Sequence, residues 1–352
     1  MKVRALPGGQ LFIKNVSQDE KTKIALLIGG SPSLRDVSLE AASVIEGSID
    51  KSKYDVKKIV IDEKGRWIVN DYPKNAALAL KGVNVVINTL HGEYSDVAPI
   101  QTTIERMQIP YTGSTSLAAT MAIDKLASRL LFRQNGLVVP TTLNFDFRKI
   151  LDFKSVQREI TSYFNLPVVI KPNSKGFSFG VGIVKDAADI PEAIRYAAGF
   201  DKIILVEEFL RGLEVSCMVV ETRSGLVGLP PVVLMPVFKK QASSSFDIPE
   251  TKDAKLNIAH LDEEIIKRIK TVAVYIHKLL GLRHYSKTDF ILIKDKLYVL
   301  EVNPFPAFTK NSLALKAINW WGIDLNKFLD HLIDLTLNPQ KEDNFSNVRL
   351  AL

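Results

Sequence analysis

The sequence predicts an α/β chain that opens with a parallel sheet and closes on an acidic β-hairpin. Apolar runs at 23–28 (KIALLI), 54–61 and 83–90 (VNVVINTL) alternate with helix-patterned segments, as in an open sheet wound with helices. The first run enters Gly29-Gly30-Ser31-Pro32-Ser33, and strand, glycine turn, helix is the unit that points backbone N–H groups at an anion or polar substrate. The third observation is the stretch 287–312, KTDFILIKDKLYVLEVNPFPAFTKNS, where two acids flank a pair of alternating apolar runs.

Residues 1–20 form a polar lead-in without periodicity. A helix is expected over 36–49, and the strand at 83–90 ends at His91-Gly92-Glu93, which places His91 at the mouth of the sheet. A lone histidine there serves equally as a structural hydrogen-bonding group or as a substrate group. Helices are expected over 96–107 and, as one long helix carrying Asp124, Lys125 and Arg129, over 116–134. After a helix at 152–164, the segment LPVVIKPNSKGFSFGVGIV (166–184) reads as two antiparallel strands joined by a glycine-containing loop that can fold over phosphates, with Lys171 at its edge. It is not a Walker loop, because no Gly-Lys-Ser/Thr opens a helix; a surface hairpin has the same pattern. A short helix at 191–198 precedes IILVEE (203–208), a strand ending in two acids, and Glu214 follows Arg211-Gly212. Such a strand end can read an adenine edge and ribose hydroxyls, or be a solvated turn. Residues 237–262 are rich in Lys and Ser without periodicity and read as a long loop of the lid type. A helix at 263–280 leads into the hairpin, and 312–337 is helical with Trp320 and Trp321 as core or interface aromatics.

In the hairpin, Phe290-Ile291-Leu292-Ile293 and Leu297-Tyr298-Val299-Leu300 alternate as strands, with the turn at 294–296. Antiparallel pairing brings Asp289 and Glu301 to one end of the sheet, and Asn303, two residues on, shares the face of Glu301. Two carboxylates and an amide carbonyl are hard oxygen donors that suit Mg2+, which keeps waters and phosphate oxygens as its other ligands. Solvated acids on a surface hairpin are the plainer reading. The metal reading is preferred because both acids abut apolar strands and Asn303-Pro304-Phe305-Pro306 stiffens the chain where ligands need fixing.

The totals bound the rest. The chain has 352 residues, 46% hydrophobic and 24% charged, enough for two or three packed units. Its net charge of +7 attracts anions such as nucleotides, but no basic run with interleaved aromatics suggests a nucleic-acid surface, and excess lysine explains the charge. The single cysteine, Cys217, lies in an apolar strand-like run and excludes an intrachain disulfide. With no signal-like N-terminal segment and no apolar run of membrane-spanning length, a cytoplasmic protein without a membrane partner is expected.

In this order, the stretches resemble the D-alanine–D-alanine ligases of the ATP-grasp superfamily, from about residue 23 to 337. The resemblance implies an ATP-grasp fold preceded by an open parallel α/β domain, with units at 1–120, 121–208 and 209–352. It implies ATP and Mg2+ (or Mn2+) as cofactors, the metal on Asp289, Glu301 and Asn303. Lys125 of IDKLASR, Lys171 and Ser178 take nucleotide roles, and Glu207 and Glu214 of ILVEEFLRGLEVS meet adenine and ribose. LHGEYSDVAPIQTTIERMQIPYTGS resembles the family's His-Gly segment, with His91 at the first amino-acid subsite. Ser312 falls where the second substrate's carboxylate is held. Lys287 and the N–H of Ala307 fall where the family stabilises the oxyanion. Small amino-acid substrates, D-alanine first among them, and a homodimer are implied.

The departures gather around the amino acids. The family's first-subsite glutamate corresponds to Leu34, and the first of two serines in the phosphate loop to Phe177. Lys287 stands for an arginine and keeps the charge without the planar two-point grip. Ala307 stands for a glycine and keeps the N–H at ordinary backbone angles. The lid's Lys-Tyr segment is matched only loosely by 246–253. The resemblance therefore implies ATP-dependent ligation through an acylphosphate, forming D-alanyl-D-alanine for peptidoglycan precursors. Two alternatives stay open: a ligase of the same family joining another amino acid or a hydroxy acid, and a non-catalytic nucleotide-binding sensor.

Overall fold

A computed structural model describes residues 20–91, 94–150, 152–240 and 246–339. The lead-in at 1–19 and the centre of the expected lid, 241–245, lie outside the described residues. Two sheets organise the chain.

The first contains β1 (Thr22–Gly29), β2 (Tyr54–Ile61), β3 (Trp67–Val69), β4 (Tyr72–Lys74) and β5 (Val85–Asn88) in the order β4-β3-β2-β1-β5. β1 runs parallel to both β2 and β5, and β3 and β4 extend the edge antiparallel. β1 is central and covered on both faces, which explains its unbroken apolar run. Its helices are α1 (Arg35–Ser48), α2 (Ala76–Ala79) and α3 (Tyr94–Arg106). Strand order reverses at β1, so a crevice opens at the C-terminal ends of β1 and β5, where Gly29, Gly30 and His91 follow. Gly29 has φ +102°, and a Cβ there would stand 2.3 Å from the Ile61 carbonyl oxygen, so only glycine fits the turn.

The expected long helix at 116–134 is two helices, α4 (Ser116–Ile123) and α5 (Lys125–Gln134). Asp124 adopts φ −73° and ψ 100° and its side chain accepts from the N–H of Ala127, so it caps the second helix instead of continuing the first. The break sets Lys125 at the first position of α5.

The second sheet is built from β6 (Thr142–Asp146), β7 (Val168–Pro172), β8 (Gly182–Val184), β9 (Ile203–Glu208), β10 (Leu213–Thr222), β11 (Gly225–Gly228), β12 (Val232–Lys240), β13 (Asp247–Ile258), β14 (Tyr285–Ile293) and β15 (Lys296–Asn303). Its order is β15-β14-β10-β12-β13-β8-β7-β9-β6, with β11 paired to β10. The helices α6 (Phe153–Tyr163), α7 (Ile190–Ala198) and α8 (Glu263–Leu279) cover it, and α9 (Leu313–Trp320) and α10 (Leu325–Leu337) close the described chain.

The region expected as a long loop, 237–262, is mostly a β-ribbon: β12 and β13 pair antiparallel with a register shift between Met235 and Val237. Backbone pairing of a polar ribbon leaves no apolar alternation to read. The ribbon carries the sheet across to β8, where Asp247 pairs with Ile183, and Phe246 is buried beside the Tyr196 ring. Cys217 is buried with a free thiol, pushed up to about 12 by that burial. No helix among the described residues is long and apolar enough to cross a membrane.

Candidate active site

β14 and β15 form the expected hairpin, turning at Lys294, which has φ 51°. Asp289 pairs with Glu301 and Lys287 with Asn303, while Phe290 pairs with Val299, so Leu300 is the extra residue of a β-bulge. Beyond the bulge, Lys287, Asp289, Glu301 and Asn303 share one face, and on the neighbouring strand Ser216 lies opposite Asp289.

Every carboxylate on this face has a cationic neighbour. Lys287 Nζ lies 2.7 Å from Asp289 Oδ2, the Ser216 hydroxyl donates to Asp289 Oδ1, and Lys125 Nζ lies 3.2 Å from Glu301 Oε2. Burial favours the neutral form of Asp289 and raises its carboxyl, with Lys287 opposing. Burial acts the same way on Glu301, but Lys125, Lys171 and Lys287 together hold it down at about 2. Glu214 is raised to about 7 by burial and by the charge of Asp289. Asn303 Oδ1 accepts from the N–H of Phe305 at 2.8 Å, which fixes the amide at the strand end. Two carboxylates, Asp289 and Glu301, and the Asn303 amide oxygen share one face with lysines as counter-charges; among the described residues no cluster of three acidic or histidine ligands forms, so this donor set suits a hard divalent cation only with waters and phosphate oxygens as its remaining ligands.

The loop from β7 to β8 closes over this face. Phe177 and Ser178 sit in the left-handed region at φ 54° and 58°, and Gly180 has φ 72°. The loop is stitched to α5: Asn173 Oδ1 accepts from the N–H of Leu126 and its Nδ2 donates to Asp124, each at 2.9 Å. The Lys125 ammonium also donates to the Lys175 carbonyl.

One cavity of about 580 Å³ gathers most of the sequence-derived residues. Its lining includes Lys125, Ser178, Glu214, Lys287, Asp289, Glu301 and Asn303 together with His91, Ala307 and Ser312. Lys171 and Glu207 lie behind it instead: both are buried, with Lys171 Nζ 2.9 Å from Glu207 Oε2. Burial lowers the Lys171 ammonium to about 8 against the pull of Glu207. The Glu207 carboxylate is taken up by Lys171 and Arg129.

Leu34, Val37 and Glu40 recur every three residues along α1 and its N-cap and line the cavity as a stripe. His91 Nδ1 lies 3.0 Å from the Phe305 carbonyl, an acceptor only, so Nδ1 carries the proton and Nε2 is an acceptor. Burial lowers this imidazole to about 4, which keeps it neutral, and Nε2 has no partner among the described residues. The Phe177 ring meets His91 edge-on with centroids 6.3 Å apart. Ser312 caps α9 by accepting from the N–H of Leu315, which leaves its own O–H to donate. Ala307 lies outside the left-handed region, so it offers an ordinary backbone N–H.

Sequence reasoning missed Ser216, Asn173, Glu40 and Arg129 as parts of the site. The only signal for Arg129 was its spacing, one helical turn after Lys125 in IDKLASR.

Comparisons with known proteins give the family. Residues 131–334 match the family model described as D-ala D-ala ligase C-terminus. The chain is similar to the D-alanine–D-alanine ligase of Carboxydothermus hydrogenoformans, 31% identical over 326 residues, covering 91% of this chain and all of the relative. A Clostridium botulinum D-alanine–D-alanine ligase is 29% identical over 316 residues, covering 89% of this chain and 97% of the relative. Among solved structures, the VanG D-Ala:D-Ser ligase of Enterococcus faecalis superposes with a TM-score of 0.77 at 25% identity, covering 90% of this chain and 100% of that one. The Bacillus anthracis D-alanine–D-alanine ligase complexed with ATP gives 0.74 at 24% identity, covering 90% and 97%. Matched over more than half its length by the family model and along nearly its whole length by a relative above 30% identity, the chain belongs to the D-alanine–D-alanine ligase family, which comprises ATP-dependent ligases of the ATP-grasp fold.

Proposed function

We propose that this chain joins two small amino acids, D-alanine being the leading pair, into a dipeptide at the expense of ATP, for peptidoglycan precursor synthesis. The observation that carries the reading is the single cavity in which the acidic hairpin face, Lys125, the phosphate-loop residue Ser178, His91 and Ser312 meet. ATP converts the first carboxylate to an acylphosphate, the second substrate's amine attacks it, and phosphate leaves the tetrahedral intermediate.

Asp289, Glu301 and Asn303 would hold Mg2+, which when bound offsets the charge that develops on the phosphates. Lys125 orients phosphate oxygens at the head of α5, and Lys171 adds positive charge from behind. Lys287 and the Ala307 N–H stabilise the oxyanion, the contribution that is usually largest. Ser312 donates to the second carboxylate. Neutral His91 accepts at Nε2 from a donor on the first substrate. The β12–β13 ribbon, joined to the phosphate-loop strand β8, keeps water from the acylphosphate. The division into 1–120, 121–208 and 209–352, a homodimer and a cytoplasmic location belong to the same reading.

A second reading is favoured by Leu34 and Phe177, which make the first subsite more apolar: the first partner is another amino acid or a hydroxy acid.

The test is phosphate release from Mg-ATP across D- and L-amino acids and D-lactate, singly and in pairs, with mass spectrometry of products. Release with D-alanine alone and formation of the dipeptide supports the first reading, and release with a different pair supports the second. ATP binding without release from any pair sinks both and favours a nucleotide sensor. Asp289→Asn retaining full activity contradicts the metal assignment.

A further inference from the structure

Arg129 is buried one turn after Lys125 on α5 and reaches in two directions. One is Glu207: Nη1 pairs with Oε1, and Nη2 lies 3.3 Å from Oε2. Glu207 in turn holds Lys171 Nζ at 2.9 Å. The other is the carbonyl of Leu300, which accepts from Nε at 3.0 Å and from Nη2 at 2.6 Å. Leu300 is the bulge residue next to Glu301, so this carbonyl fixes how far the bulge projects and where the Glu301 carboxylate starts. Thr142 Oγ1, 3.3 Å from Nη1, completes the surroundings.

We propose that Arg129 is a positioning residue that fixes the phosphate-binding lysine and the cation-binding carboxylate together, through Glu207 and the bulge carbonyl respectively. The proposal rests on the ligase reading. The planar guanidinium is suited to it, because its fixed fork of donors satisfies a carboxylate and a carbonyl at once. A lysine ammonium keeps the charge but cannot hold both partners in that geometry. It sides with the carboxylate, the stronger acceptor, and leaves the Leu300 carbonyl without its donors. The two branches therefore separate by substitution. Arg129→Lys releases the bulge and loosens the cation site. Glu207→Gln keeps the size of the side chain, removes the charge that favours the ammonium form of Lys171, and weakens the phosphate branch.

The experiment is calorimetric titration of the intact protein with a non-hydrolysable ATP analogue, in EDTA and in Mn2+. It gives a metal-free affinity and a metal-linked gain for each protein. Arg129→Lys is expected to keep the metal-free affinity within about twofold and to lose about tenfold or more of the metal-linked gain, the scale of outer-shell substitutions at metal sites. Glu207→Gln is expected to lose about fivefold or more of the metal-free affinity, a typical coupling between sites, while its metal-linked gain stays near wild type. Arg129→Lys with an unchanged metal-linked gain overturns the proposal, as do equal losses of both quantities in both variants, the result of a merely structural role. If Arg129→Lys does not fold, Glu207→Gln decides alone: metal-free affinity equal to wild type overturns the proposal. Wild-type protein that binds no nucleotide overturns the ligase reading itself, and the proposal with it.

Discussion

Lys125 and Glu301 face each other at 3.2 Å, the first residue of α5 against the one acid of β15, near that strand's C-terminal end, with β6 to β14 lying between them in sequence. The contact depends on the helix break at Asp124, whose side chain accepts from Ala127 N–H and from the Asn173 amide. Asp124→Ala is expected to lower stability by about 1 kcal/mol, the usual worth of an N-cap. It should raise KM for ATP more than it lowers kcat, since Lys125 and the phosphate loop lose their common anchor. Steady-state kinetics beside a thermal melt check this, and an unchanged KM for ATP contradicts it.

Two glycines in the phosphate loop should respond differently to alanine. At Gly180, with φ +72°, a Cβ would meet Phe200 at 2.7 Å and Pro172 at 3.0 Å; at Gly176 nothing lies within 4 Å. Gly180→Ala is expected to cost about 1–3 kcal/mol from strain, and Gly176→Ala to stay within about 0.5 kcal/mol. Equal shifts in denaturant midpoint would falsify this account of the loop.

Acid should unfold the chain through its histidines. Burial depresses His91 to about 4 and His277 and His284 to about 3, against an ordinary 6.5. In the unfolded chain all three take up protons first, so the stability from keeping them neutral is complete above pH 6.5 and is lost as pH falls from there toward 3. Each imidazole contributes up to about 1.4 kcal/mol per pH unit in its window. Melting temperatures across mildly acidic buffers should fall steadily, and a flat profile between pH of about 7 and about 5 speaks against the buried neutral state.

Leu34 lines the same cavity as His91, where the proposed first subsite lies. It is only 5% exposed, so Leu34→Glu sets a carboxylate within the proposed first subsite. A first substrate bearing an ammonium gains a charge-assisted hydrogen bond and its KM should fall about tenfold. A hydroxy acid should be used less well. Kinetics with paired D-alanine and D-lactate provide the check, and a rise in KM for the amino acid refutes the placement.

The hairpin was legible because apolar alternation brackets its acids, and the parallel sheet because β1, β2 and β5 are short apolar runs between helical patterns. Other features left less trace. The helix break at Asp124 is flanked by residues that favour helix on both sides, so only an aspartate at the right place signals it. The β12–β13 ribbon is held by backbone pairing that polar side chains do not report. Arg129 finds its partners, the Glu207 carboxylate and the Leu300 carbonyl, 78 and 171 residues away. Local chemistry was readable, whereas pairings made only by the tertiary fold were not.

The last two helices have a consequence for synthesis. Leu313, Ala317, Leu325, Phe328, Leu329 and Leu332 pack into one core with Ile24, Leu26, Ile45 and Ile87 of the first sheet and α1. A ribosome releases those first strands more than two hundred residues before this part of their cover. That face of the first sheet, covered at first by α1, is therefore completed only after α9 and α10 have left the exit tunnel, so the core of the first sheet closes late in synthesis.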